Sequence, residues 1–520
     1  MPKFIPYNYQ QNVMVVVNFK DQIQPGTIEF AVHHLVDTKF DLSIFHPEYQ
    51  NDEGGRPAYD PALLLKIIFY AYYKGITSSR EIQWQCENNI IFKALSCDTV
   101  PHYTTIAAFI SEHPQQIESL FEQILLICDQ QGLLGKSLFA IDGCKMPSDA
   151  AKEWSGTFKE LQAKRDKIKR RIRHQLKEHQ RLDDSDSRDE ERRKRHEQTI
   201  KSLNRAHDKI DAFLQSASPR MGQGKRRKEV KSNITDNESC KMTTSKGTIQ
   251  GYNGVATVDK KHQIIVDAQA FGEGQEHHTL QPVLETVNAR FQRLNLAEDI
   301  FEEGAIVTAD TGYANEQNNR YLHGHSINAY IPDNQFRKRD PKFSTQPKYG
   351  QRKRAEYKPT KQFSASEFDF NAKKKTCRCP ADKWLWLKGE WVDSYGNRKL
   401  FFEGRLTDCR QCHLTPYCMR NPISSHERTG NGRQVSFIVS GRKKEPTYTT
   451  WMKQRVDSVR GREIYSHRMS VVEPVFANIG TNKKLNRFSL RGKKKVQAQW
   501  QLYCMVHNIE KLANYGNLAA

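Results

Sequence analysis

The chain has 520 residues, with 81 Lys and Arg against 60 Asp and Glu and a net charge of +21. That length holds several cores, roughly two to four domains, and the charge points to a polyanionic partner. No stretch approaches the roughly 18–20 apolar residues of a membrane span, and the start, Met1-Pro2-Lys3-Phe4-Ile5-Pro6, has no long apolar run of the signal-peptide type. A cytoplasmic protein, nucleoid-associated if its partner is DNA and without a membrane partner, is therefore expected. In that setting its eleven cysteines read as thiols or metal ligands rather than disulfides. The charge is uneven. Residues 1–150 carry 10 Lys and Arg against 17 Asp and Glu, residues 151–230 carry 24 against 14, residues 335–376 carry 13 against 4, and residues 481–520 carry 8 against 1. A phosphate-binding surface is expected from the three basic segments. For the charge run at 157–215 a solvated helical face is the competing reading.

In chain order, Asn12–Val17 reads as extended. Asp60-Pro61 opens a helix, with Asp60 as N-cap, Pro61 in the first turn and an apolar run through Phe69. Ser78-Ser79-Arg80-Glu81 has the form of a capping box. Helices carrying Ile106, Phe109 and Ile110, then Ile117, Leu120, Phe121, Ile124 and Leu125, complete an N-terminal helical domain over 1–130. It resembles a helix-turn-helix unit, with a plain packing bundle as the alternative. Residues 136–146 read as a strand. Residues 157–215 form a charged helical hairpin broken at Asp183-Asp184-Ser185-Asp186, followed by a basic linker, so 151–230 is an insertion. Strands at 248–258 and 262–271, a helix at 280–294, a strand ending at Asp310, a helix at 314–321 and a strand at 327–331 give an α/β core from 131–150 and 231–334. Residues 335–440 hold a basic loop and a cysteine-bearing insert with a strand at 434–439. Helices fill 441–520.

Three carboxylates, Asp142, Asp310 and Glu473, each border an apolar element. Individually they have ordinary readings: Asp142-Gly143 and Asp310-Thr311-Gly312 as turns, and Glu473-Pro474 as a helix start. Carboxylates at strand ends can converge, however, and three of them can hold two divalent ions that clamp the attacking and leaving oxygens of a phosphodiester. Hard oxygen ligands suit Mg²⁺ or Mn²⁺.

Several motifs then act together. They are Gly55-Arg56-Pro57-Ala58-Tyr59-Asp60-Pro61, Pro101-His102-Tyr103-Thr104-Thr105-Ile106, Asp142-Gly143-Cys144-Lys145, Gln250-Gly251-Tyr252-Asn253, Thr308-Ala309-Asp310-Thr311-Gly312-Tyr313, and Tyr465 with Arg468 before Val472-Glu473-Pro474-Val475-Phe476. In order and context they resemble the DDE transposases of bacterial insertion sequences, over nearly the whole chain. The resemblance implies an RNase H-like mixed-sheet core with Asp142, Asp310 and Glu473 as catalytic metal ligands. It implies nicking at transposon ends followed by strand transfer to target DNA, and a homo-oligomer acting on paired ends. Tyr465, Arg468, Lys483 and Lys484 would contact DNA phosphates, Arg468 as a bidentate clamp. A salt bridge to a core carboxylate is the other reading of Arg468. The family often has Gly after the Phe and a Lys shortly beyond, and Ala477 and Gly480 stand at those places. That departure favours another reading, a catalytically impaired DNA-binding or regulatory derivative; a metal-dependent nuclease without strand transfer is a second alternative.

The cysteines give a second signal. Cys377-Arg378-Cys379-Pro380 is followed by Cys409-Arg410-Gln411-Cys412-His413 and Cys418. Pairs about thirty residues apart suit a tetrahedral structural Zn²⁺, with Cys379, Cys409, Cys412 and Cys418 favoured and Cys377 or His413 as alternates. Unliganded thiols are the competing reading. His277-His278, after Glu273 and Glu276, read as the approach to a helix N-terminus rather than as a metal site.

Overall fold

The computed structural model describes residues 17–49, 54, 57–183, 190–222, 227–245, 247–344, 362–393, 397–427, 429–440 and 447–518. Most of the expected extended segment at Asn12–Val17, the hairpin break beyond Asp183, Gly55-Arg56 and the middle of the basic loop at 335–376 lie outside these residues. Contacts divide the chain into two units, Met1–Phe336 with Met452–Ala520, and Arg337–Trp451.

The first unit begins with helices α1 (Ile28–Thr38), α2 (Pro61–Tyr73), α3 (Ser79–Asn88), α4 (Ile90–Leu95), α5 (Tyr103–Glu112) and α6 (Pro114–Gln130). Asp60 caps α2 as expected, accepting from the Ala62 N–H at 2.7 Å. The expected capping box on α3 does not form. Ser78 makes no side-chain cap bond, and Glu81 instead accepts from Gln85 one turn on. The side chain that would have closed the box is engaged along the helix face.

A mixed sheet follows. Its strands are β1 (Leu138–Pro147), then, after helices α7 (Phe158–Asp183) and α8 (Glu190–Ser216), β2 (Cys240–Thr244), β3 (Gly247–Asp259), β4 (Ile265–Phe271), β5 (Ile306–Ala309) and β6 (Asn328–Tyr330). Helix α9 (Leu280–Arg293) lies between β4 and β5, and α10 (Glu316–Gly324) between β5 and β6. The order is β6-β5-β1-β3-β2, with β4 also paired to β3. β1 runs parallel to β5 and antiparallel to β3. The α7–α8 hairpin is not purely a solvated rod. At its base Leu161, Ile210 and Ile234 form a small buried cluster, while Leu176 further along is exposed.

The second unit contains a five-stranded antiparallel sheet in sequence order: β7 (Asp369–Asn371), β8 (Thr376–Arg378), β9 (Trp384–Val392), β10 (Arg398–Glu403) and β11 (Gln434–Ser440). Short helices α11 (Leu406–Arg410) and α12 (Thr415–Cys418) lie between β10 and β11. Only β11 was legible as a strand. Along β9 the tryptophans Trp384, Trp386 and Trp391 are exposed, so residue size there does not report burial.

The first unit closes with α13 (Val459–Ala477) and α14 (Lys493–Tyr515). α14 is buried on nearly every face of its middle section. Its amides replace a missing strand neighbour at the edge of the sheet. Asn508 bonds both the N–H and the carbonyl of Ile265 at 2.9 Å, and Gln497 does the same for Ala270 N–H and Ala268 carbonyl at 2.6 Å. Side-chain amides thereby satisfy an edge that would otherwise offer unpaired backbone groups. Tyr503 stacks on Tyr72 at 4.1 Å between ring centroids, joining α14 to α2.

Gly251 on β3 pairs with both β1 and β2. A Cβ there would overlap the Met146 carbonyl oxygen and lie 2.8 Å from Pro147 Cα. These are backbone atoms inside a paired strand and cannot turn aside. Gly251→Ala is expected to destabilise the first unit by about 3 kcal/mol or more, read as a lowered unfolding midpoint of the full chain in urea.

Candidate active site

β1 and β5 place the two aspartates. Ile141 stands opposite Ala309 in their parallel register, so Asp142 and Asp310 are the next residues on neighbouring strands, about 5 Å apart at the backbone. β5 ends there, and Asp310 starts the 3-10 turn Thr311–Tyr313. Gly143 is required beside Asp142: a Cβ at 143 would meet the Asn253 side-chain oxygen at 2.8 Å. Asn253 comes from β3, and its amide is buried with neither end paired.

The third residue at this site is a cation. Arg468 reaches in from the buried face of α13, with Nη2 2.7 Å from Asp142 Oδ2. The other carboxylate oxygen accepts from the Gly143 N–H at 2.9 Å. Burial works against the Arg468 charge, and Asp142, with Tyr465 and Asp310, outweighs it, so the guanidinium is held more firmly protonated than usual. Tyr465 is half-buried, its ring edge-on to Phe336 at 5.4 Å.

Glu276 is the residue that the sequence did not single out. It opens the 3-10 turn Glu276–His278 before α9, consistent with the helix-approach reading of that segment. Its side chain nevertheless turns toward the aspartates. It pairs with Lys145 at 3.4 Å, a Cβ at Gly312 would overlap its carboxylate, and it acts on the charge of Asp142. Its nearest signal was the glycine at 312, whose lack of a side chain leaves it room.

Glu473 stands elsewhere. It lies five residues beyond Arg468 on α13, about 140° further round the helix, and its side chain is exposed. It lies inside α13 rather than at a helix start, with Pro474 also inside the helix. Lys483 also departs from expectation. It is 1% exposed, its ammonium lies 2.5 Å from Glu510 and 3.2 Å from the Asn478 side-chain oxygen, and burial lowers its pKa. A lysine held inward on a carboxylate offers no charge to a phosphate. Lys484 beside it is exposed.

The metal expectation can be tested on this geometry. Both oxygens of Asp142 are engaged, Glu473 is turned to solvent, and among the described residues no group of three or more His, Cys, Asp or Glu side chains is arranged to hold a metal ion. In this arrangement Asp142 and Asp310 of the expected Mg²⁺ or Mn²⁺ set stand together, and Glu473 does not join them. The positive charge at the site is supplied by Arg468 and Lys145.

Burial pushes the Asp142 carboxyl from its ordinary 3.8 up to about 6. Arg468 and the Gly143 N–H pull it down, while Asp310 and Glu276 push it further up. The folded protein therefore holds this proton more tightly than the unfolded chain does. The ionised group costs stability progressively as pH rises from about 4 through about 6, and the cost is constant above that. Asp142→Asn mimics the protonated form. It is expected to be more stable than the wild type above pH 6, by on the order of 1–3 kcal/mol, and equal to it below pH 4, as checked by thermal unfolding across that range.

No helix among the described residues is long and apolar enough to cross a membrane. No curated protein matches the chain. Two families match. The one described as Transposase domain (DUF772) covers residues 17–112, spanning α1 to α5, and the one described as Transposase DDE domain covers residues 378–513, which include Arg468 and Glu473. The second match carries an RNase H-like core with it, and the mixed sheet bearing Asp142 and Asp310 is the sheet of such a core. A transposase domain near one end and a transposase DDE domain near the other make a pairing consistent with a DDE transposase of an insertion sequence.

Proposed function

We propose that this transposase cuts DNA at the ends of a mobile element and joins those ends to target DNA. The observation that carries the reading is the placement of Asp142 and Asp310 on neighbouring parallel strands, with the buried Arg468 guanidinium against them. A carboxyl pushed up to about 6 is a competent acceptor for the proton of an attacking hydroxyl near neutral pH. A guanidinium beside it offers paired donors to phosphate oxygens. On the DNA side, α7 exposes Lys167, Lys169, Arg170, Arg171, Arg173 and Lys177, a row of charge suited to phosphate contacts along a duplex. Lys484 and Tyr465 belong to the proposed phosphate contacts as well, and a homo-oligomer acting on paired ends to the proposed assembly. Dependence on Mg²⁺ or Mn²⁺ is part of the same proposal. It requires Arg468 to release Asp142 and a third carboxylate, Glu473 or Glu276, to join the pair.

A second reading, a DNA-binding derivative that no longer cuts, is favoured by the exposed Glu473 together with Ala477 and Gly480 at positions where Gly and Lys are usual. The assay that separates these uses labelled DNA from both flanks of the coding region, with Mg²⁺ and a supercoiled target. Cleavage plus joining supports the proposal, cleavage alone indicates a nuclease, and binding alone indicates the derivative. Asp142→Asn, Asp310→Asn and Arg468→Ala are each expected to lower cleavage by at least ~100-fold while leaving DNA binding within a few fold. Cleavage by Asp310→Asn at the wild-type rate would remove the site assignment. Parallel substitutions Glu473→Gln and Glu276→Gln identify which glutamate acts with the aspartates: the variant that loses cleavage marks it.

A further inference from the structure

The second unit has little core of its own. Its buried cluster is Phe368, Cys377, Leu385, Leu400, Phe402 and Val435, while its three tryptophans on β9 are 57%, 42% and 48% exposed. The α11–α12 segment between β10 and β11 is short and irregular, and apolar burial alone gives it weak reason to hold one shape. Yet its cysteines are gathered. Cys379, Cys409, Cys412 and Cys418 all line one cavity of about 40 Å³, enough to admit an ion or a water molecule.

The backbone around these thiols is already shaped as ligand loops. After β8 the chain makes a tight turn: the Asp382 N–H donates to the Cys379 carbonyl at 2.8 Å, the Cys379 N–H to the Lys383 carbonyl at 2.9 Å, and the Lys383 N–H to Cys379 Sγ at 3.4 Å. Asp382 takes φ 57° to complete it. On the other side, Cys412 N–H donates to the Cys409 carbonyl at 3.3 Å, and Thr415 bonds that carbonyl through its hydroxyl at 2.5 Å. The Arg433 backbone N–H donates to the Cys409 thiol. Gly432 lets β11 approach, since a Cβ there would lie 2.7 Å from Cys409 Sγ. Backbone N–H groups aimed at sulfur stabilise thiolate over thiol, as the outer shell of a metal–thiolate site does.

We infer that Cys379, Cys409, Cys412 and Cys418 bind one zinc ion as a tetrahedral, all-thiolate structural site that ties the turn after β8 to the α11–α12 segment. The cavity also decides among the five cysteines. Cys377 is fully buried in the hydrophobic cluster, opposite Leu385 and Phe370, and does not line the cavity. His413 is exposed and does not line it either. The sulfurs ring the cavity without converging, since no three ligand-type side chains among the described residues stand as a metal-binding group. Closing the ring requires rotation of short side chains about single bonds and release of thiol protons to solvent. This site is separate from the aspartates and does not depend on how DNA is processed.

The test uses the full chain, purified without a metal-binding tag. Elemental analysis is expected to give about one zinc per chain, and cobalt exchanged into the protein should show thiolate charge-transfer absorption and the intense visible bands of a tetrahedral centre. Cys412→Ser and Cys379→Ser should lose the ion, Cys377→Ser and Asp142→Asn should keep it, and Cys412→His should keep it with a shifted cobalt spectrum. Titration with a thiol reagent should find these four cysteines protected until a chelator is added. A full chain that contains no zinc and takes up no cobalt would overturn the inference. So would retention of the ion by Cys412→Ser, its loss in Cys377→Ser, or free reaction of all four thiols before chelation.

Discussion

A buried cation holds the first unit together. Arg290 on α9 is 1% exposed and bonds Asp267 on β4 and Glu118 on α6, with Glu122 at 3.6 Å. Gln501 on α14 bonds the same Glu118. Burial disfavours the guanidinium charge, but Asp267 and Glu118 outweigh it and keep Arg290 protonated. A charge taken this far from water persists only where partners satisfy it on several sides; here they come from α6 and the sheet, and α14 joins through Gln501 on Glu118. The cluster therefore fixes how the helical bundle sits on the sheet, and through β4 and β3 it fixes β1, which carries Asp142.

The candidate site follows a related electrostatic logic with less complete pairing. Asp142, Asp310 and Glu276 bring negative charge together, and Arg468 and Lys145 offset part of it. Burial above all, with Asp310 and Glu276 adding to it, raises the pKa of Asp142. A site in this condition is primed for a further cation or for a proton. Sites whose carboxyl groups are shifted by burial and neighbouring charge are common at catalytic centres. The inward face of α13 gives Arg468 to this site while its outward face carries Glu473, so the rotation of one helix decides which of the two charges faces the aspartates.

What was legible in the sequence followed local rules. The Asp60-Pro61 cap and the apolar spacing of α2, α5 and α6 were readable because a helix imposes its period on burial. β3, β4 and β5 were readable as apolar runs between turns. The capping box at Ser78 was misleading, because Glu81 had a competing partner one turn along the helix. The sheet of the second unit was hidden, because exposed tryptophans on β9 disguise the alternation that marks a half-buried strand. Glu276 was hidden for a different reason: its role rests on proximity to Gly312 and Lys145, 36 and 131 positions away in sequence, and no local pattern encodes that.

By itself the sequence determined the kinds of element, the basic charge, the cysteine spacing and the two aspartates. Each of these depends on residues within a few positions of one another or on composition. Tertiary structure decided the rest. Parallel pairing of β1 with β5 put Asp142 beside Asp310, the rotation of α13 turned Arg468 toward Asp142 and Glu473 to solvent, the half-buried carboxylate of Glu510 holds Lys483 inward, and the fold of the second unit separated Cys377 from the four cysteines around the cavity. The physical reason is common to all four. Charge and thiol chemistry depend on distance and burial, and residues far apart in the chain acquire both only when the elements that carry them pack.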